Sequence, residues 1–309
     1  MLPAMADSIR ARVLAGIARN RIPGFHFAGN FLGVSYDRVE AQATRVSLEP
    51  GPHCVDRHGE TSIGAIAMLA DIALAASVRA ALDSMTTRLA TVSMHLQFTG
   101  APMRGRAEGE GAFQGFIEGA AARQGLARMS ITCGGKLACF GSGAFMALAP
   151  PPGVAMHPVV TERPASAAPV AESELDPEER ALLAHADAAL AKAAAQGSFI
   201  DAFWGYEPRR TEAGASCVMK NAAHVGNRVG HAQGGLLLGL AATAARAALP
   251  REWTLASVTA CFVSPGEGAE LEASATIAHQ GRETAVVRTW VSGLGARRVL
   301  EVLTTHART

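Results

Sequence analysis

The chain has 309 residues, 49% of them hydrophobic and 18% charged, and its 28 Lys and Arg against 27 Asp and Glu leave a net charge of +1. A chain of this length can bury about three quarters of its unfolded surface, so wholesale disorder is excluded and about two domains are expected. Balanced charge without a basic block excludes a nucleic-acid footprint, and five scattered cysteines with no CxxC pair indicate neither a disulfide framework nor a zinc site.

Met1 to Asn20 alternates charge with short apolar stretches and lacks the apolar region of a signal peptide, so a cytoplasmic location is expected. An aromatic-glycine signal, Phe31-Leu32-Gly33-Val34-Ser35-Tyr36, reads as the first strand. Gly64–Leu82 is apolar enough to suggest a bilayer span, but it carries Asp71 and Arg79 and draws its apolarity from alanine, which favours a helix buried in a folded domain. Strand-like runs follow at Leu89–Phe98, Gly105–Ile117 and Leu126–Leu148, with Gly125 near the turn between the last two.

Ala149-Pro150-Pro151-Pro152-Gly153 opens a Pro- and Ala-rich stretch that reads as a linker over 150–175. Asp176, Pro177, Glu178 and Glu179 then carry the signals of a helix start, with an N-cap, a first-position proline and acids in the first turn; the helix is expected to run to about Ala195. The earlier order of elements now recurs. Phe203-Trp204-Gly205-Tyr206 repeats the aromatic-glycine signal, Gly234–Leu249 is a second apolar helix, and Leu255–Val263, Ala269–Ala278 and Glu283–Thr304 have strand character, with Gly281 at a hairpin turn. A sheet wrapped around a helix too apolar to face water on any side, present twice, accounts for both halves.

These residues resemble the hotdog-fold acyl-CoA thioesterases. Gly64–Asp71 (GAIAMLAD) and Ala90–Pro102 carry the likeness in the first half. Gln233-Gly234-Gly235, the Ala-rich helix and Pro265-Gly266 carry it in the second, which resembles one hotdog of the double-hotdog thioesterases of the second type. The resemblance implies an α+β fold of two fused hotdog domains, 1–149 and 176–309, the latter with a leading helix. It also implies a thioester site between them, to which one hotdog gives an acid and the other a helix N-terminus. The family's loop places an Asn six residues before His-Gly-Gly, an acid nine residues after that His, and a Ser or Thr on the next strand. In the first half Asp71 and Thr91 match the acid and the hydroxyl, while the loop reads Ser62-Ile63-Gly64 with Asp56 upstream. In the second half Asn227, Gln233, Gly234 and Gly235 match the loop, with Gln in place of His, and the acid position is Ala242. Each half keeps what the other lacks, so one composite site is expected and its mirror image is expected to be dead.

In that site Asp71 is expected to activate water or attack directly, with Thr91 holding the water or orienting the carboxylate and Gly234 presenting an N–H to the oxyanion. Asn227 and Gln233 would shape the loop or donate further hydrogen bonds, while Gly235, Gly64 and His231 would line the substrate's path. The alternative for Asp71 is an ion pair with Arg79, about two turns along the same face. The reaction expected is hydrolysis of an acyl-CoA or related thioester, without a metal or a cofactor beyond the coenzyme A of the substrate. No nucleic-acid or membrane partner is expected, and a homo-oligomer of the double unit is left open. The rival readings are a non-catalytic acyl-CoA binder on the same fold and a hotdog hydratase or dehydratase.

Overall fold

The computed structural model describes residues 2–24, 26–82, 84, 86–149, 157–158 and 169–309; most of the expected linker, 150–175, lies outside them. The first half runs α1 (Leu2–Asn20), α2 (Phe27–Leu32), β1 (Ser35–Arg38), β2 (Thr44–Leu48), α3 (Ile63–Ala80), β3 (Arg88–Phe98), β4 (Ala107–Ile117), β5 (Gln124–Cys133) and β6 (Lys136–Leu148). The second half repeats the order: α4 (Pro177–Gln196), α5 (Phe199–Trp204), β7 (Arg209–Thr211), β8 (Gly214–Lys220), α6 (Gly234–Ala248), β9 (Trp253–Phe262), β10 (Glu270–Gln280), β11 (Thr284–Ser292) and β12 (Arg298–Arg308).

The twelve strands of the described residues join one antiparallel sheet in the order β1-β2-β4-β5-β6-β3-β9-β12-β11-β10-β8-β7. The second six mirror the first six, and the halves meet where β3 pairs β9, Met94 opposite Ala260. Strand faces alternate between core and solvent, as in β10, where Leu271, Ala273 and Ala275 are buried and their neighbours exposed. The sheet wraps α3 and α6, which lie side by side because glycines permit close approach. A Cβ on Gly235 would stand 2.5 Å from the Met68 Cα, and one on Gly239 would stand 2.7 Å from the Gly64 Cα. By length and composition α3 could cross a membrane, yet most of it is buried inside the sheet.

Three details differ from the sequence reading. Each aromatic-glycine signal closes a short helix before the strand starts: Phe31-Leu32 end α2 and Phe203-Trp204 end α5, capped by Gly33 and Gly205 in the left-handed region (φ 75° and 76°). Leu126–Leu148 is a hairpin of two strands, turned at Gly134-Gly135 (φ 55° and 77°), and Glu283–Thr304 likewise divides into β11 and β12. Gly125 lies inside β5, where a Cβ would collide with Val78 at 2.4 Å, so its missing side chain serves packing rather than a turn. Gly281 does sit in the β10–β11 turn, its N–H bonded to the Thr284 carbonyl.

Outside the sheet, α2 and α5 meet through tilted and edge-on rings, with Phe31 and Phe203 centroids 4.8 Å apart. Helix α1 presents Ile9, Val13 and Ile17 to the core at four-residue spacing and packs on α2 and α4. The expected start of α4 carries a full capping box, Asp176 accepting from the Glu179 N–H and Glu179 from the Asp176 N–H.

Candidate active site

The loops that lead into the two long helices are built alike. Asp56 Oδ1 accepts from the N–H groups of His58 and Glu60, and Asn227 Oδ1 from those of Val229 and His231. A single bridge closes each loop, Val55 with Thr61 and Gly226 with Ala232. This is an Asx-type turn that folds the chain back onto the helix N-terminus, so the Asn227 Oδ1 holds the loop. The likeness ends at the residue before each helix. Ser62 caps α3, its hydroxyl accepting from the Ala65 N–H, whereas Gln233 caps α6 with a longer side chain.

Gln233 does two things at once. Its Oε1 accepts from the Leu236 N–H at 3.0 Å, which leaves the amide Nε2 to donate to Asp71 Oδ2 at 2.7 Å. The capping bond therefore dictates which end of the amide faces the carboxylate. Thr91 donates to the other oxygen, Oδ1, at 3.0 Å, and the Gly235 N–H favours the charged form of this carboxylate. Asp71 is 7% exposed and Gln233 6%. Burial pushes the Asp71 carboxyl up to about 6, against the opposing pull of Thr91, Gln233 and Gly235, which favour its charged form. The ion pair with Arg79 that the spacing permits is not formed; the Arg79 guanidinium instead donates to the Thr87 carbonyl at 2.7 Å.

The first turn of α6 completes the arrangement. Gly235 faces Asp71, Leu236 bonds the Gln233 side chain and Leu237 bonds the Gln233 carbonyl. Among the described residues no acceptor meets the Gly234 N–H, one of the donors that a helix start leaves over. A Cβ on Gly234 would lie 3.2 Å from Thr91 Oγ1 and 3.5 Å from Asp71 Oδ2. A cavity of about 500 Å³ opens here, lined by Asp71, Thr91, Gln233 and Gly234 and, nearer Pro265, by Asn227 and His231. His231 pairs with Glu267 at 3.2 Å, burial lowers its pKa, and it does not touch Asp71. Gly64 is not part of the cavity wall. It lies at the mirror-image crossing against Tyr206 and Gly239, so the path expected past it is not there.

The mirror position is filled. Tyr206 follows the capping Gly205 as Val34 follows Gly33, and Val34 lines the cavity while Tyr206 is buried. The Tyr206 hydroxyl donates to the Leu236 carbonyl at 2.6 Å, and its ring occupies the space left by Gly64 and Gly239. Ser257, the counterpart of Thr91, turns to Thr305 at 2.6 Å, and Ala242 stands at the acid position on α6. Sequence reasoning missed this plug; the Val34 and Tyr206 difference becomes informative only once the two capping glycines are aligned. It also missed Arg79 and Arg228 as cavity-lining groups. No cluster of three His, Cys, Asp or Glu residues able to hold a metal occurs among the described residues.

Comparison with known proteins bears on the fold and on the second half of the chain. Residues 224–307 match the family model described as acyl-CoA thioesterase N-terminal domain, so the second half carries a thioesterase-type sequence. No curated protein sequence matches the chain. Among solved structures, a conserved protein of unknown function with hot dog fold from Alicyclobacillus acidocaldarius is similar over 92% of this chain and 98% of its own, at 8% identity and TM-score 0.52. An acyl-CoA thioesterase II from Mycobacterium marinum is similar over 90% and 95%, at 11% identity and TM-score 0.49. A Bacillus halodurans protein crystallised with CoA matches 44% of this chain and 97% of its own, at 21% identity and TM-score 0.41. The fold is two fused hotdogs, and the chain resembles the tandem-hotdog thioesterases.

Proposed function

With a thioesterase-like double hotdog as the premise, we propose that the chain hydrolyses an acyl-CoA or related thioester at one composite site between its halves. The observation that carries the reading is the Asp71 carboxylate, supplied by α3 and held by donors from both halves beside the unused N–H of Gly234. The thioester carbonyl oxygen lies against Gly234, where the N-terminal dipole of α6 favours the developing negative charge. Asp71 takes a proton from water as the water attacks, the tetrahedral intermediate collapses, and the proton returns to the departing thiolate. A base with a pKa near 6 is charged at neutral pH and still binds a proton strongly enough for this exchange. Thr91 and Gln233 keep both carboxylate oxygens in place. The site spends the protein's asymmetry on one reaction centre, since the mirror position has no acid and no space.

The test is thiol release from short, medium, long and aromatic acyl-CoAs by wild type and Asp71→Asn. The expected result is a loss of at least about 1,000-fold in kcat for the variant, with acyl-CoA binding retained. Tight binding without turnover in wild type would make the protein an acyl-CoA binder. Turnover surviving in Asp71→Asn would assign the chemistry to another group.

A further inference from the structure

Beyond Asp71 the cavity follows α3, along Ile72, Ala75 and Ala76, and reaches Arg79. Val34 and Tyr36 line it as well. Among the described lining residues the cations are Arg19, Arg79, Arg88 and Arg228, and the acid is Asp71 alone. We propose that this arm selects a short acyl group ending in a carboxylate, with Arg79 and Arg228 reading that carboxylate while Asp71 attacks the thioester at the other end. The inference rests on the thioesterase reading and names its substrate class.

Three observations support it. First, Arg79 is only 9% exposed. A guanidinium at that depth gains from a carboxylate, whose planar pair of oxygens it matches, and gains nothing from a methyl terminus. Second, Arg228, which donates to the His157 carbonyl, lines the same cavity as Arg79, and burial first, then the Arg228 charge, lowers the Arg79 pKa to about 10. Two cations held together in one arm favour an anion between them. Third, the length fits. Arg79 lies roughly 12 Å along the helix axis from Asp71, and its guanidinium is held at the carbonyl of Thr87, four residues before the Thr91 that bonds Asp71. The span suits succinyl or glutaryl groups rather than long chains. The phosphates of coenzyme A are the other anions that could meet these arginines. They are multiply charged and strongly hydrated, which fits an open mouth rather than a buried position beside Ala75 and Ala76.

The test compares glutaryl-CoA with pentanoyl-CoA, acyl groups of equal chain length, in wild type, Arg79→Met, Arg79→Lys and Arg228→Met. Wild type should favour glutaryl-CoA by at least about tenfold in kcat/KM. The glutaryl-to-pentanoyl ratio should fall about 100-fold in Arg79→Met and less in Arg79→Lys. Arg228→Met, on a loop where folding is less at risk, should lower the ratio in the same direction. A wild-type ratio of one or below, or equal losses on both substrates in every variant, would overturn the proposal. Glutaryl-pantetheine, which lacks the nucleotide phosphates, separates the two anion sources. A glutaryl preference that persists with it supports the acyl arm, and one that vanishes assigns the arginines to the phosphates and overturns it. Should no thioester be hydrolysed, the catalytic reading fails by itself, and equilibrium binding decides the pocket: tighter glutaryl-CoA, weakened by Arg79→Met, upholds the arm, and equal affinities remove it.

Discussion

A buried carboxylate kept ready by neutral donors is what the residues around Asp71 amount to. Gln233 does not titrate and burial holds His231 below its ordinary 6.5, so kcat/KM for an uncharged acyl group should follow Asp71, climbing with pH and levelling off above about 6. Gln233→Glu would keep the helix cap but replace a donor with a second carboxylate, moving that inflection upward and lowering activity at pH 7; a pH–rate profile reads both. The same burial affects stability. A carboxyl whose folded value lies above its ordinary 3.8 binds its proton more tightly when folded, so stability falls as pH rises from about 4 through about 6. The cost reaches up to about 3 kcal/mol. Asp71→Asn escapes it but loses one accepting oxygen. Thermal unfolding should therefore show the variant gaining on wild type as pH is raised across that window, with a constant difference above it.

Two long helices that touch through glycine decide the geometry at the scale of elements. On one side Gly235 packs over Met68 and Val34 leaves a cavity; on the other, Gly239 and Gly64 make room for the Tyr206 ring. Small and large residues have exchanged places between equivalent positions, and the exchange turns one pseudo-symmetric site into packed core. Tyr206→Ala should cost about 3–5 kcal/mol in chemical denaturation through the void it leaves, without creating a second active site, because Ala242 supplies no acid. Gly235→Ala should push α6 away from α3 at a backbone contact of 2.5 Å, lowering both melting temperature and turnover. Neither effect is visible in the local pattern of either helix, which reads as uniformly apolar.

For the whole molecule, the β3–β9 pairing makes one sheet of two halves and brings Asp71 and Thr91 to Gln233 and Gly234. Residues 162 positions apart therefore act on one carboxylate, and their effects should not add. Gln233→Ala alone should lose about 0.5–2 kcal/mol of capping stability and about 10- to 100-fold in kcat. Combined with Asp71→Asn it should lower kcat no further than Asp71→Asn does, a coupling that a double-mutant cycle on the intact chain measures directly. Additive losses would mean that Gln233 and Asp71 serve separate steps.

How much of this was legible without coordinates differs by kind of residue. Repetition, helix caps and strand alternation depend on neighbours close in the chain, so the double unit and the α4 capping box around Asp176 could be read from order and spacing, while the complementary loss of Asp71's and Gln233's counterparts followed only from the resemblance to the hotdog thioesterases. The sequence by itself thus determined a unit of like elements present twice, because periodicity and caps are local. Only the tertiary structure decided that Gln233 reaches Asp71, that Tyr206 closes the mirror site and that Arg79 and Arg228 line the arm beyond it. Those outcomes depend on which side chains the β3–β9 junction and the glycine crossings bring within a few ångströms, and no local periodicity records them. Gly64 illustrates the difference: it matches Gly235 in sequence, yet the packing gave its surroundings to a tyrosine ring rather than to a cavity.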